Sequence, residues 1–315
     1  MANRPPRLKA RAWNTSQLIA LEDAPTRYAL TRDPWIRPHR GVVVWGDQDI
    51  TAPMIRISCA SEAVGGAPLG TWAAAFLHGA RDLDGGRGLT DPEPVVFCLD
   101  RPGSKRPRDG LLPLRSPLDA EDVTTVGGIA VTSPARTAFD LARTARSLHQ
   151  AVAAVDCLLR VHPAVLTVEQ FEAYVQTLRG FKGIRQVRDC IPLLSPLARS
   201  RPESVFRVIW QVDAGLPKPL VNPRVITVPG RRLLGYPDLL AEEEGLAGEY
   251  DGEYHRDLNQ HARDNAREEA FEDAGLTVVR ATSVDLRDRR ALVERLQRGF
   301  QRAQRQQTRS WMVLR

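Results

Sequence analysis

No run of 18 or more apolar residues occurs in the 315-residue chain, so no stretch is long enough to cross a bilayer as a helix. The opening residues, MANRPPRLKARAW, hold no apolar core of the kind a secretory leader carries. A soluble, cytoplasmic protein with no membrane partner is the expectation. Cysteine is scarce: Cys59, Cys98, Cys157 and Cys190 stand far apart and make no CxxC pair, which argues against a zinc site and a disulfide framework. Reduced, buried thiols are expected instead. Low-complexity blocks are also missing, and 43% hydrophobic with 26% charged residues is ordinary for a globular chain and does not force disorder.

Acidic residues are absent from Arg295 to the C-terminus, where six arginines stand: Arg295, Arg298, Arg302, Arg305, Arg309 and Arg315. They account for the whole formal net charge of +6 and leave the rest of the chain neutral. Basicity is therefore a property of the tail, and overall charge alone is no argument for nucleic-acid binding. On a helix the first five fall along one stripe. Such a stripe either follows a phosphate backbone or forms a solvated helix face.

The length suggests two domains plus a small extension. Residues 1–48 form that extension: a short helix capped by Thr15-Ser16, a strand at Gly41–Trp45, and Arg27, Arg32, Arg37, His39 and Arg40 between them. This is either a degenerate winged helix or an interdomain strap. Residues 49–194 read as an α/β unit with a helical linker. Met54–Cys59 is expected as a strand, Thr71–Gly79 as a helix ending at His78 and Gly79, and Pro94–Leu99 as a strand. Gly127-Gly128 introduces a further strand, and Ser133-Pro134 opens a helix by cap and first-turn preferences. Residues 195–315 are expected to run α, three antiparallel β, α, β, α: a helix at Ser200–Ala214, strands at Val221–Val228, Leu233–Leu240 and Leu246–Asp251, a helix at Asn259–Ala274, a strand at Leu276–Ala281 and a final helix at Arg289–Arg305. That order predicts one mixed sheet flanked by helices, and the α/β class for the whole chain.

The hairpin within LLGYPDLLAEEEGLAGEYDGEYH concentrates charge. Glu249 and Asp251 stand two apart on a strand and leave one face, and folding about Glu243 brings Asp238 level with Glu249. Hard oxygen ligands converging from neighbouring strands suit Mg²⁺ or Mn²⁺, which can activate water and stabilise charge on a phosphodiester. His255 is placed to act as a base or to position water. Each residue also has a structural reading. Ser200-x-x-Glu203 is a capping box, Glu249 and Asp251 have Arg263 and Arg267 as ion-pair partners, Glu242–Glu244 is a solvated turn, and His261 is a surface residue.

Two resemblances stand beside these readings. GTWAAAFLHG, a β-rich run, GGIAVTSPARTAFDLAR and AVAAVDCLL, in that order, resemble the central domain of AbiEi-type antitoxins over about 110 residues. This implies a protein partner for that domain; members usually carry an N-terminal winged helix. Pro237-Asp238, ten residues, then Glu249-x-Asp251 resembles the core of the PD-(D/E)XK nuclease superfamily. EYDGEYH, Arg263-Asp264-x-x-Arg267 and GLTVVRAT resemble the branch related to very-short-patch-repair (Vsr) endonucleases, over roughly residues 200–300. That resemblance implies a restriction-endonuclease-like sheet, DNA as substrate, Mg²⁺ as cofactor, and metal-binding acids at Glu203, Asp238 and Glu249. Asp251 occupies the place of the superfamily's lysine, and the last lysine in the chain is Lys218, so His255 or an arginine would take that role. Two functions follow. One is a Mg²⁺-dependent DNA endonuclease using Glu203, Asp238, Glu249, Asp251 and His255, with Arg263, Arg267, Arg295, Arg298, Arg302 and Arg305 on DNA. The other is a non-enzymatic antitoxin or regulator that uses a degenerate nuclease fold to bind DNA or a partner.

Overall fold

The computed structural model describes residues 12–19, 26, 28–32, 34–86, 91–100, 107, 109–252, 269–306 and 308–314. The protein is of the α/β class and divides into two compact units: residues 1–144 with 161–184, and residues 145–160 with 185–315.

In the first unit, strands β1 (Trp13–Asn14), β2 (Trp35–His39) and β3 (Val42–Trp45) form an antiparallel sheet in the order β1-β3-β2, entered by the short helix α1 (Thr15–Ile19). Alternation along β3 sends Val43 to a core with Trp13, Leu18 and Leu30, and Val42 and Val44 to the opposite face. There they meet helix α2 (Pro53–Val64) through Ile55 and Cys59. This corrects the strand expected at Met54–Cys59. The alternation of Ile55, Ile57 and Cys59 imitates a strand, but the helix formers that follow carry the apolar face on to Ala60 and Val64. Pro53 sits in the first turn, and Gly65, left-handed at φ 65°, ends the helix.

Helix α3 (Thr71–Leu77) follows, with His78 as its C-cap. Strands β4 (Val95–Leu99) and β5 (Leu111–Arg115) pair in parallel, and β6 (Val123–Val126) with β7 (Ile129–Thr132) forms a hairpin. Leu69 bridges β4 and β7. Helix α4 (Pro134–Thr144) packs on α3 and on α6 (Val168–Thr177). In the chain, α5 (Leu148–Val161) follows α4 and precedes α6.

The second unit takes up most of α5 and continues through α7 (Ile184–Cys190) to α8 (Arg201–Val208). Its main sheet joins β8 (Leu220–Val221), β11 (Leu239–Ala241), β12 (Leu246–Asp251) and β13 (Thr277–Thr282) in the order β13-β12-β11-β8, with β12 and β13 parallel and the other pairs antiparallel. A second sheet, β10-β9-β14, holds β9 (Val225–Thr227), β10 (Leu233–Gly235) and β14 (Trp311–Val313). The single mixed sheet expected from sequence is thus two. Val221–Val228 breaks where Asn222 turns left-handed (φ 50°) before Pro223, and Leu233–Leu240 breaks at Pro237, which has no N–H to give a ladder. Strand β14 lies beyond the last element expected from sequence.

One face of the main sheet packs Phe206, Ile209 and Trp210 of the α8 region, followed by Leu292 and Leu296 of the final helix, against Leu239, Leu246 and Val279. The other face packs Leu240 and Ala247 against Phe271 and Trp311. A short helix, α9 (Ser283–Arg287), directly precedes that final helix, α10 (Arg289–Arg305), in the chain. All four cysteines are free and buried.

Candidate functional site

Three groups of charged side chains lie in this frame. The first is the acidic hairpin. Strands β11 and β12 pair Leu239 with Gly248 and Leu240 with Ala247, a register that carried one step on sets Asp238 opposite Glu249. The Tyr250 N–H donates to Asp238 Oδ2 at 2.7 Å, and Asp238 O in turn accepts from the Asn222 N–H at 3.0 Å. Glu249 is half-buried, as is Asp251 at the end of β12, where it pairs with Thr282 of β13. Strand alternation places Asp238, Glu249 and Asp251 on the sheet face of Leu240 and Ala247.

Glu203 is held differently. It sits in the first turn of α8, against the opposite sheet face, and completes a cap: Ser200 Oγ donates to Oε1 at 2.9 Å and the Arg199 N–H to Oε2 at 2.8 Å. The Asn222 side-chain amide also reaches Oε2, at 3.4 Å. Among the described residues no group of three or more His, Cys, Asp and Glu side chains gathers as a metal site. His255, Arg263, Arg267 and His261 lie outside the described residues.

The second group is the arginine row. Leu292, Leu296, Gly299 and Ala303 turn the apolar stripe of α10 inward. Arg295, Arg298, Arg302 and Arg305 consequently line a groove of about 790 Å³, together with Gln301 and residues of β13, Arg280 included. Among the described residues Asp285 is the one acid in its lining. It is taken by Arg295 (2.8 Å) and by the Thr282 N–H and hydroxyl, at 2.9 and 2.8 Å. Burial pushes the Asp285 carboxyl up, but Arg295 and Thr282 outweigh it and hold it below its usual range. Arg298 is mostly exposed and only 3.8 Å from Glu294. Sequence reasoning missed Arg280 and Asp285, although Arg280 stands in the quoted GLTVVRAT run. The strand had to be placed beside α10 before it could join the row.

The third group lies in the first unit and also escaped the sequence reading. Arg136 on α4 is buried, with 0% side-chain exposure, and bonds Asp140 Oδ2 at 2.9 Å, Asp122 Oδ2 at 2.6 Å and the Pro117 carbonyl at 2.7 Å. Arg143 holds the other oxygen of Asp140 at 2.6 Å, and the Tyr174 hydroxyl donates to Asp122 Oδ1 at 2.6 Å. Two arginines thus balance two carboxylates. Burial works against the Arg136 charge, and Asp140 and Asp122 more than restore it. Burial and Asp122 together raise the Tyr174 phenol above its ordinary range. Cys98 nearby is pushed by burial up to about 12, as is Cys59, so neither is a ready nucleophile. The signal in the sequence was ARTAFDLAR, which puts Arg136, Asp140 and Arg143 at helical spacing on an otherwise apolar face.

Neither a curated protein nor a solved structure matches the chain. Residues 68–193 match the family model of the AbiEi antitoxin C-terminal domain. The matched segment holds the Arg136 network, and the acidic hairpin and the arginine row lie outside it.

Proposed function

We propose that this protein is a non-enzymatic antitoxin, the neutralising member of a two-part toxin–antitoxin module, with residues 68–193 as the part that engages its protein partner. The match of that segment to the AbiEi antitoxin C-terminal domain carries the reading. The Arg136 network supports it physically. A buried arginine shared between Asp122 and Asp140 tolerates one arrangement of α4, the loop before β6 and α6, so the surface these elements present is pre-organised for binding. The test is co-expression with the product of the adjacent gene. The full chain is expected to relieve growth arrest caused by that product and to co-purify with it. Persistent arrest together with no co-purification would overturn the reading.

A second reading, Mg²⁺-dependent cleavage of DNA, rests on the register that sets Asp238 opposite Glu249 on adjacent strands. Mg²⁺ binds through one or two carboxylates and keeps several waters, so this pair fits it. Glu203 fits less well, because both its oxygens serve the α8 cap. When bound, the ion would stabilise charge on a phosphodiester, with Arg298, Arg302 and Arg305 as DNA contacts. Titration calorimetry with Mg²⁺ and Mn²⁺, and a plasmid-nicking assay, check it. Asp238→Ala and Glu249→Ala are expected to abolish metal uptake and nicking. No metal uptake by the wild-type protein, with both variants behaving like it, would remove this reading.

A further inference from the structure

Strand β13 ends its sheet. Among the described residues it pairs with β12 on one side, and no strand pairs with its other edge. Such an edge carries backbone N–H and C=O groups ready to pair with another strand. At two points the need is already met by neighbouring side chains: Arg295 donates to the Arg280 carbonyl at 3.2 Å, and the Thr282 N–H donates to Asp285 Oδ2 at 2.9 Å. The arginine-lined groove runs along this edge. The helix returns beside the strand, Arg295 standing by Arg280 and Gly299 against Val279 and Thr277. Arg298, Arg302 and Arg305 continue the row past Arg295, and Val278 and Val279 give the floor an apolar strip.

We propose that this groove takes an extended acidic segment of a partner protein, which adds as a strand to the open edge of β13 and sets its carboxylates against Arg298, Arg302 and Arg305. Spacing agrees with this. Alternate residues of a strand lie about 7 Å apart on one side. Along α10, Arg298 and Arg302 are separated by about 6 Å of rise and Arg302 and Arg305 by about 4.5 Å, within reach of flexible guanidinium stems. Backbone pairing supplies affinity in such an addition, and alternate side chains supply selectivity. Charge is complementary, since the one acid among the described lining residues is already held by Arg295. Nucleic acid suits the groove less well. Single strands bind on aromatic platforms, and the described residues of the lining include no aromatic side chain. A duplex is a rigid rod with nothing to pair with a strand edge. The inference stands on the sheet edge and the row alone, and does not depend on the antitoxin reading.

The probe is a fluorescein-labelled peptide of alternating Glu and Val, twelve residues long, titrated by anisotropy into the full chain. Binding is expected, with slowed amide exchange over residues 277–282. Methylating one alternate set of the peptide's amides is expected to weaken binding at least tenfold, and methylating the other set to leave it intact. The combined Arg298→Gln, Arg302→Gln, Arg305→Gln variant is expected to lose at least tenfold, as is a Lys–Val peptide on the unaltered chain. The Lys–Val result decides the charge question should the variant melt early. The proposal is overturned if neither methylated peptide is weakened, if the Lys–Val peptide binds as well, or if oligo-dT or duplex DNA binds more tightly at the same salt.

Discussion

Arg136 shows how much one buried side chain can govern. Its guanidinium lies between Asp140 and Asp122 with no exposure to solvent, so removing it leaves two carboxylates short of their main counter-charge. Arg136→Ala is expected to cost about 3–5 kcal/mol of unfolding free energy, read from urea melts. Arg136→Lys should recover little of this, because an ammonium cannot fork between two acids; full recovery would show that charge alone matters. His78 makes a pH-dependent contribution. Burial holds its imidazole below the ordinary range, against the pull of the Thr132 carbonyl, which accepts from Nε2 at 2.7 Å. The unfolded chain therefore takes up a proton at about pH 6.5, before the folded one does. Stability is expected to fall as pH drops from there towards the lower folded value. His78→Gln should flatten that slope in urea melts taken from pH 7 to 5, and an unchanged slope would exclude His78 as its source. The helix-end position of His78 was readable from Gly79. In the Arg136 network only Asp140 stands at a readable helical spacing; Asp122 and, bonded to it, Tyr174 are distant in the chain and neither carries a local signal.

At the scale of elements, capping and spacing rules located most helices, and backbone breaks decided the sheets. The final helix has the bounds expected, Arg289–Arg305, because its apolar positions repeat at helical spacing. Strand pairing was legible within a hairpin, where the short turn fixes register, as between Leu239 and Gly248. The second sheet was not, since β14 meets β9 from the far end of the unit. Gly299 is a site where element packing can be tested. A Cβ there would stand 2.6 Å from Val279 Cγ2, so α10 lies on β13 at a distance that only glycine permits. Gly299→Val is expected to cost about 1–3 kcal/mol and to disturb the arginine groove. Thermal melts read the first effect and anisotropy with the Glu–Val peptide the second; a variant unchanged in both would mean the helix can shift freely.

Over the whole molecule, the division into units does not follow the chain's order. Residues 145–160 belong with 185–315, and Asp156 gives the reason. It is buried on α5 and accepts from Arg207 at 2.6 Å, Ser204 Oγ at 2.6 Å and the Ser195 N–H at 2.9 Å. A fragment of residues 195–315 loses that carboxylate and leaves Arg207 buried without it. It is expected to be less stable than a fragment of residues 145–315 by about 3–5 kcal/mol, measured by chemical denaturation; equal stability would show that Asp156 is dispensable. A reading from sequence finds boundaries by composition, at Pro192, Ser195 and Pro196, and a buried ion pair spanning 51 positions leaves no trace there. The open edge of β13 has a last consequence, for solubility. Two copies meeting there would bring Arg298, Arg302 and Arg305 of each against the same three of the other, and that repulsion keeps an exposed strand from stacking on itself. Neutralising the row, or screening it with salt, should therefore promote concentration-dependent aggregation, which light scattering would register.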